Sequence, residues 1–214
     1  MIYSTLAYGE YADKYSKHIS KLGQTYNIHV LTDKPELFDN VFVHSYSRNI
    51  FSYYEKLIFI VKLVIEKKDR VNYIDADMMW NLDKQVDLDL DSIYSYQIYN
   101  IDDQSLENIL GKERINEVLK KAGWNIELKD YIPEGIISFP YIDSIKNILK
   151  DLIYLQPFFE DYFNKKNSWN KNTYRYGKYG VGYGEGAALT AIAHKYSIPY
   201  KAIGRTAFGN KSSF

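Results

Sequence analysis

The sequence predicts an α/β fold built on a central sheet, mostly parallel and flanked by helices. Three observations lead there. Apolar strand-like runs alternate with amphipathic stretches as β-α-β-β-α-β over the first 80 of 214 residues, the pattern of parallel strands joined by right-handed crossovers. The helical stretches carry apolar residues three and four apart. The run Val71 to Trp80, VNYIDADMMW, leads an apolar strand straight into two carboxylates, Asp75 and Asp77. Open α/β sheets bind ligands at the carboxyl ends of their strands.

Taken in order, Met1 to Tyr8 reads as a first strand, ending at Gly9. Glu10 to Leu22 reads as a helix with Ala12, Tyr15, Ile19 and Leu22 on one stripe and Gly23 as its stop. Ile28 to Thr32 is a short strand closed by Asp33, with Lys34-Pro35 as the break. Val41 to His44 is another strand. Phe51 to Lys67 has the clearest helical pattern: Leu57, Val61, Val64 and Ile65 line one face, and Lys56, Lys62 and Glu66 another. The strand with the Asp pair follows.

The second half is less regular. Leu82 to Asp91 is acidic and turn-rich, Ser105 to Lys121 reads as a helix ending near Gly123, and Tyr131 to Phe139 as a bend and a strand. Ile142 to Asn164 reads as a long helix that Pro157 should kink or split. Asn167 to Gly184, rich in Gly and Tyr, is a loop by composition. A helix starts at Glu185, with Ala187, Ala188, Leu189, Ile192 and Ala193 as its packed face.

Composition narrows the function. Hydrophobic residues make 46% of the chain, enough for a sizeable core in one domain. Lys+Arg and Asp+Glu are 27 each, and this zero balance argues against a nucleic-acid binder working by bulk electrostatics. Cysteine is absent, so no disulfide framework or thiolate chemistry is expected. Leu57 to Ile65, the longest apolar segment, is interrupted by Lys62 and too short to span a membrane. The N-terminus shows no signal-peptide pattern, and a cytoplasmic protein is expected. Most of the 22 tyrosines read as core and surface filler from a composition bias, and some are candidates to stack on sugar or base rings.

Two ionised carboxylates set between apolar runs need a partner. A divalent cation with phosphate oxygens on its far side serves, since Mg²⁺ and Mn²⁺ prefer oxygen ligands. The competing reading is a strand end whose two Asp face solvent in a turn. The topological rule collects Leu6, Ala7 and Tyr8 from the first strand, Asp33 from the second, Tyr53, Tyr54 and Lys56 from the helix start, and Asp75 and Asp77 on one sheet edge. An aromatic, an amine and carboxylates together suit a nucleoside diphosphate with a metal ion. Each alone has an ordinary reading as packing, solvated helix surface or turn residue.

Four segments carry a resemblance to a known family: STLAYG near the start, LTD at 31–33, YEKL at 54–57 and YIDADMMW at 73–80. They resemble the nucleotide-sugar half of glycosyltransferases of the Rossmann-like GT-A fold. The resemblance implies residues 1–80 as the donor half and 81–214 as the acceptor half. It implies Mn²⁺ or Mg²⁺ on Asp75 and Asp77, and donor contacts at Thr5, Leu6, Ala7, Tyr8, Asp33, Lys56, Asp75 and Ala76. It implies a UDP-sugar donor, a saccharide or glycoprotein acceptor, and Glu185 and Glu134 as acceptor-side acids, with Glu185 as general base or acceptor ligand. For Glu185 the competing reading is a first-turn Glu favoured by the helix dipole.

The chain departs from the family in having no His after His194 to serve as third ligand; His194 reads as structural, and Arg205 or Lys211 as phosphate partners. The Tyr-rich build is also similar to the N-terminal domain of capsid-glycosylating enzymes of large algal viruses, and the tail reads as that of one domain in a longer protein. Alternatives are a non-catalytic nucleotide- or carbohydrate-binding module and a metal-dependent nucleotidyltransferase, which lacks its Gly-rich N-terminal loop here. A dehalogenase-type phosphatase fits less, because its Asp pair lies on the first strand. Stereochemical outcome is open.

Overall fold

The computed structural model describes residues 1–46, 52–83, 86–100, 112–133, 135–166, 184–204 and 209–211. The elements run β1 (Ile2–Ala7), α1 (Glu10–Gly23), β2 (Asn27–Thr32), β3 (Phe42–Ser45), α2 (Glu55–Lys67), β4 (Val71–Ile74), β5 (Met78–Trp80), β6 (Ile93–Ser95), β7 (Tyr99–Asn100), α3 (Lys112–Lys121), β8 (Asp130–Tyr131), β9 (Ile136–Phe139), α4 (Ile145–Lys166), α5 (Glu185–Lys195), β10 (Tyr200–Ala202) and β11 (Gly209–Lys211). The leading β-α-β-β-α-β order is the one the apolar periodicity predicts.

Seven strands form the main sheet in the order β10-β6-β9-β4-β1-β2-β3. Neighbours are parallel except where β9 inserts antiparallel between β4 and β6. The fold is therefore α/β with a mixed, mostly parallel sheet. Two small ribbons lie beside it, β11 with β5 and β7 with β8.

Side chains alternate across the sheet and build two cores. Tyr3, Ala7, Ile28, Val30, Ile74 and Ile136 meet Ala12 and Ile19 of α1. Positions 12, 16, 19 and 20 of α1 are buried, the stripe expected of a helix with one covered face. On the other side Ile2, Leu6, Val71, Tyr73, Ile137 and Phe139 share a core with α2, α3, α4 and α5. Helix α2 is buried from Lys56 to Val61 and again at Leu63 and Val64. It is apolar almost all round because the sheet covers one side and α4 another.

Beyond shifts of one to three residues at element ends, three points differ from the sequence reading. Helix α2 starts at Glu55 rather than Phe51, after a turn in which Ser52 Oγ accepts the Tyr54 N–H. The strand before the Asp pair ends at Ile74, so Asp75 and Asp77 sit in a turn and not within a strand. Pro157 does not split α4. It removes one helical hydrogen bond, to the Ile153 carbonyl. Ile153 and Pro157 are both exposed, so the missing bond lies on the solvent face of the helix.

Candidate active site

The turn after β4 is closed by the Met78 N–H donating to Asp75 O (3.1 Å) and anchored by the Asp75 N–H donating to Gly135 O (2.9 Å). Trp80 Nε1–H donates to Asp75 O as well (3.3 Å). Asp75 and the exposed Asp77 are thus carried on one short turn at the carboxyl edge of the sheet. The parallel run of β4 beside β1 and β2 sets Ala7, Tyr8 and Asp33 on the same edge.

Helix α2 brings Lys56 to this turn. Its Nζ lies 3.6 Å from Asp75 Oδ1 and 3.3 Å from Glu185 Oε1. The Lys56 and Glu185 side chains are 3% and 4% exposed, whereas Asp75 is 33% exposed. A buried ammonium is tolerated only with opposite charge beside it, and here two carboxylates supply it. The Tyr73 and Tyr53 rings face the same ammonium at 5.4 and 5.7 Å, within cation–π range. The Tyr73 hydroxyl donates to Asp75 Oδ1 at 2.7 Å. Burial, with Asp75 next to it, holds the Tyr73 phenol well above its ordinary value, so it stays a donor. Burial also pushes Tyr53 up.

Glu185 is the first residue of α5, and this helix is buried from Glu185 to Ala193. Gly186, Ala187, Ala188, Ala191 and Ala193 let it approach its neighbours closely. Thr190 Oγ1 donates to Gly186 O (2.7 Å) and accepts the Ile132 N–H (2.9 Å). Ile132 lies on the segment that reaches Gly135, so α5 and the Asp75 turn are tied both through the backbone and through Lys56.

The remaining candidates are placed as follows. Asp33 Oδ1 accepts the Gly9 N–H at 2.9 Å, pinning the ends of β1 and β2 to each other rather than joining the Lys56 cluster. Tyr8 stands edge-on to Tyr46, centroids 5.1 Å apart. Thr5, Leu6 and Ala7 are buried in the sheet, and Ala76 in the turn. Tyr54 turns into the core against Phe159 instead of toward the edge. His194 Nε2 meets Tyr200 OH at 3.3 Å, a structural contact. The Lys211 backbone pairs with Met78, which brings the tail beside the turn. Glu134, Arg205 and most of the 167–184 loop lie outside the described residues.

Sequence reasoning missed Tyr73 and Gly135, while Tyr53 stands on the edge where the topology puts it. Tyr73 was legible in principle, because residues i and i+2 of an extended chain share a face. Gly135 has a steric reason: a Cβ there would come 3.3 Å from Asp75 Oδ2 and 3.6 Å from Met78 Sδ.

The donor set suits a hard divalent cation. Tyr73 and Lys56 both engage Asp75 Oδ1, while Oδ2 lies 3.3 Å from where a Cβ on Gly135 would stand. Among the described residues no group of three His, Cys, Asp or Glu gathers into a full metal cage. Two carboxylates completed by phosphate oxygens and water is a usual arrangement for Mg²⁺.

No family model matches the sequence, and no curated protein sequence matches it. Solved structures show likenesses of backbone arrangement. One is the glycosyltransferase GlyE of Streptococcus pneumoniae TIGR4, with a TM-score of 0.48 and 12% identity over 94% of this chain. Mouse xyloside xylosyltransferase 1 gives 0.43 and 9% over 94%. A glycosyltransferase involved in glycosylation of the major capsid of PBCV-1 gives 0.39 and 10% over 95%. The chain spans 44% of the GlyE structure and 84% and 82% of the other two. Among the described residues no helix is long and apolar enough to cross a membrane.

Proposed function

We propose that this chain is a metal-dependent glycosyltransferase that moves a sugar from a UDP-sugar to a saccharide or glycoprotein hydroxyl. The observation that carries the reading is the Lys56 ammonium set between Asp75 and Glu185 at the carboxyl edge of the sheet, next to the Asp75-Ala76-Asp77 turn. Asp75 Oδ2 and Asp77 would hold Mn²⁺ or Mg²⁺, which supplies Lewis-acid neutralisation of a departing diphosphate.

The chain's own residues do the rest. Tyr73 fixes the Asp75 carboxylate. Lys56 keeps positive charge on the diphosphate side. Tyr8 and Tyr46 offer an aromatic face for the base or sugar, and the Gly9–Asp33 tie holds the β1 end in place beneath it. Glu185 stands on the acceptor side as ligand or base, with Glu134 assigned there too.

A non-catalytic binding module is the second reading. It is favoured by one observation, the Glu185–Lys56 ion pair, which engages the carboxylate that a general base would need. Hydrolysis of a panel of nucleotide sugars, with and without Mn²⁺, on wild type and Asp77→Ala, separates the two. Transfer chemistry predicts Mn²⁺-dependent cleavage of one UDP-sugar, abolished by Asp77→Ala. Metal-independent binding without cleavage, unchanged by the substitution, points to the module.

A further inference from the structure

Lys56 occupies an unfavourable place for a lysine. It is buried in the first turn of α2, where the helix dipole disfavours a cation and desolvation disfavours any charge. Asp75 and Glu185 supply opposite charge to it at 3.6 and 3.3 Å, and the Tyr73 and Tyr53 rings face it. The Asp75 carboxylate therefore already has a cation on its Oδ1 side before any metal arrives. A divalent ion at Oδ2 would meet the Lys56 charge across the width of a single carboxylate, in surroundings too dry to screen it well. A diphosphate changes this balance, because its negative charge faces both cations.

We infer that Lys56 is a resident counter-ion that makes metal binding depend on the donor: alone, the site holds Mn²⁺ weakly, and metal and nucleoside diphosphate bind as a unit. Glu185 sets the strength of the effect by drawing the ammonium away from Asp75. The inference rests on the metal reading above and adds its regulation. The two carboxylates consequently have opposite roles toward the metal. Asp75 holds it, and Glu185 helps it by restraining Lys56.

Free Mn²⁺ measured by electron paramagnetic resonance during titration tests this, with and without UDP. The proteins are wild type, Glu185→Gln and Lys56→Met/Glu185→Gln; the double variant removes both charges of the buried pair, and circular dichroism verifies its fold. Wild type should bind Mn²⁺ at least ~10-fold more tightly with UDP than without. Glu185→Gln, leaving the ammonium to Asp75 alone, should weaken Mn²⁺ binding. The double variant should bind Mn²⁺ without UDP about 10-fold more tightly than wild type, or better, and show a smaller UDP effect, the part left being direct ligation by the diphosphate. Unchanged Mn²⁺ affinity in Glu185→Gln overturns the inference even if the double variant does not fold. So does a double variant that binds no more tightly than wild type. If no protein binds Mn²⁺ even with UDP, the metal reading itself falls and this inference with it.

Discussion

Gly135 and Asp75 meet twice: the Gly135 carbonyl accepts the Asp75 N–H at 2.9 Å, and a methyl on Gly135 would lie 3.3 Å from Asp75 Oδ2. The first contact fixes the turn and the second leaves the carboxylate room. The φ of Gly135 is not in the left-handed region, so alanine is admissible for the backbone. Gly135→Ala is expected to change stability by less than ~1 kcal/mol while crowding Oδ2. Mn²⁺-dependent nucleotide-sugar turnover should fall about tenfold or more, since small misplacements at a reacting centre are expensive. Steady-state kinetics beside a urea titration checks both halves.

Tyr73 makes a complementary case. Tyr73→Phe keeps the ring in the core and deletes only the 2.7 Å hydrogen bond to Asp75 Oδ1. Water can reach the partly exposed carboxylate, so stability should drop by only about 1 kcal/mol. Loss of the hydrogen bond lets Asp75 turn, and Mn²⁺ affinity in the presence of UDP should weaken by about tenfold. Unchanged affinity would show that Lys56 alone orients the carboxylate.

Gly9 has φ 58° and ψ −124° and donates its N–H to Asp33 Oδ1. That backbone region is open to glycine and strained for other residues. Gly9→Ala should therefore cost ~1–3 kcal/mol in thermal unfolding. Asp33→Ala should cost only about 1 kcal/mol, because water can satisfy the exposed N–H. Asp33→Asn, which keeps an acceptor oxygen, should stay near wild type.

His29 Nδ1 and His44 Nε2 lie 2.9 Å apart on neighbouring strands, with Phe42 stacked on His29. Burial, followed by His44 and Lys67, pulls His29 down to about 4, with Glu66 opposing. The native state thus resists a proton that the unfolded chain accepts between about pH 4 and 6.5. The stability this neutral pair provides is complete above pH 6.5 and falls toward pH 4, by at most about 3 kcal/mol. Urea unfolding across that range should show the slope in wild type and a shallower one in His29→Gln.

Much of the fold was legible, because alternating apolar runs and 3.6-residue stripes are local signals. The antiparallel sense of β9 was not: Ile136-Ile137-Ser138-Phe139 is fully buried and reads the same in either direction. Nor was the β5–β11 ribbon, whose strands of three residues carry too little pattern. At the site, Asp75 and Asp77 stood out because carboxylates between apolar runs demand a partner. Lys56 was placed on the right edge, but its burial between Asp75 and Glu185 depends on how α4 packs against both α2 and α5, which periodicity does not encode. The tie from the Gly9 N–H to Asp33 Oδ1 is likewise set by the fold and carries no local sequence pattern.

On the proposed function, the Asp75–Asp77 turn binds a donor diphosphate through a divalent cation. Calorimetric titration of UDP into wild type and Asp75→Asn/Asp77→Asn, with Mn²⁺ and with chelator, tests it most directly. Binding by wild type should require Mn²⁺ and disappear in the double variant. Equal binding of UDP by both proteins in chelator would contradict it.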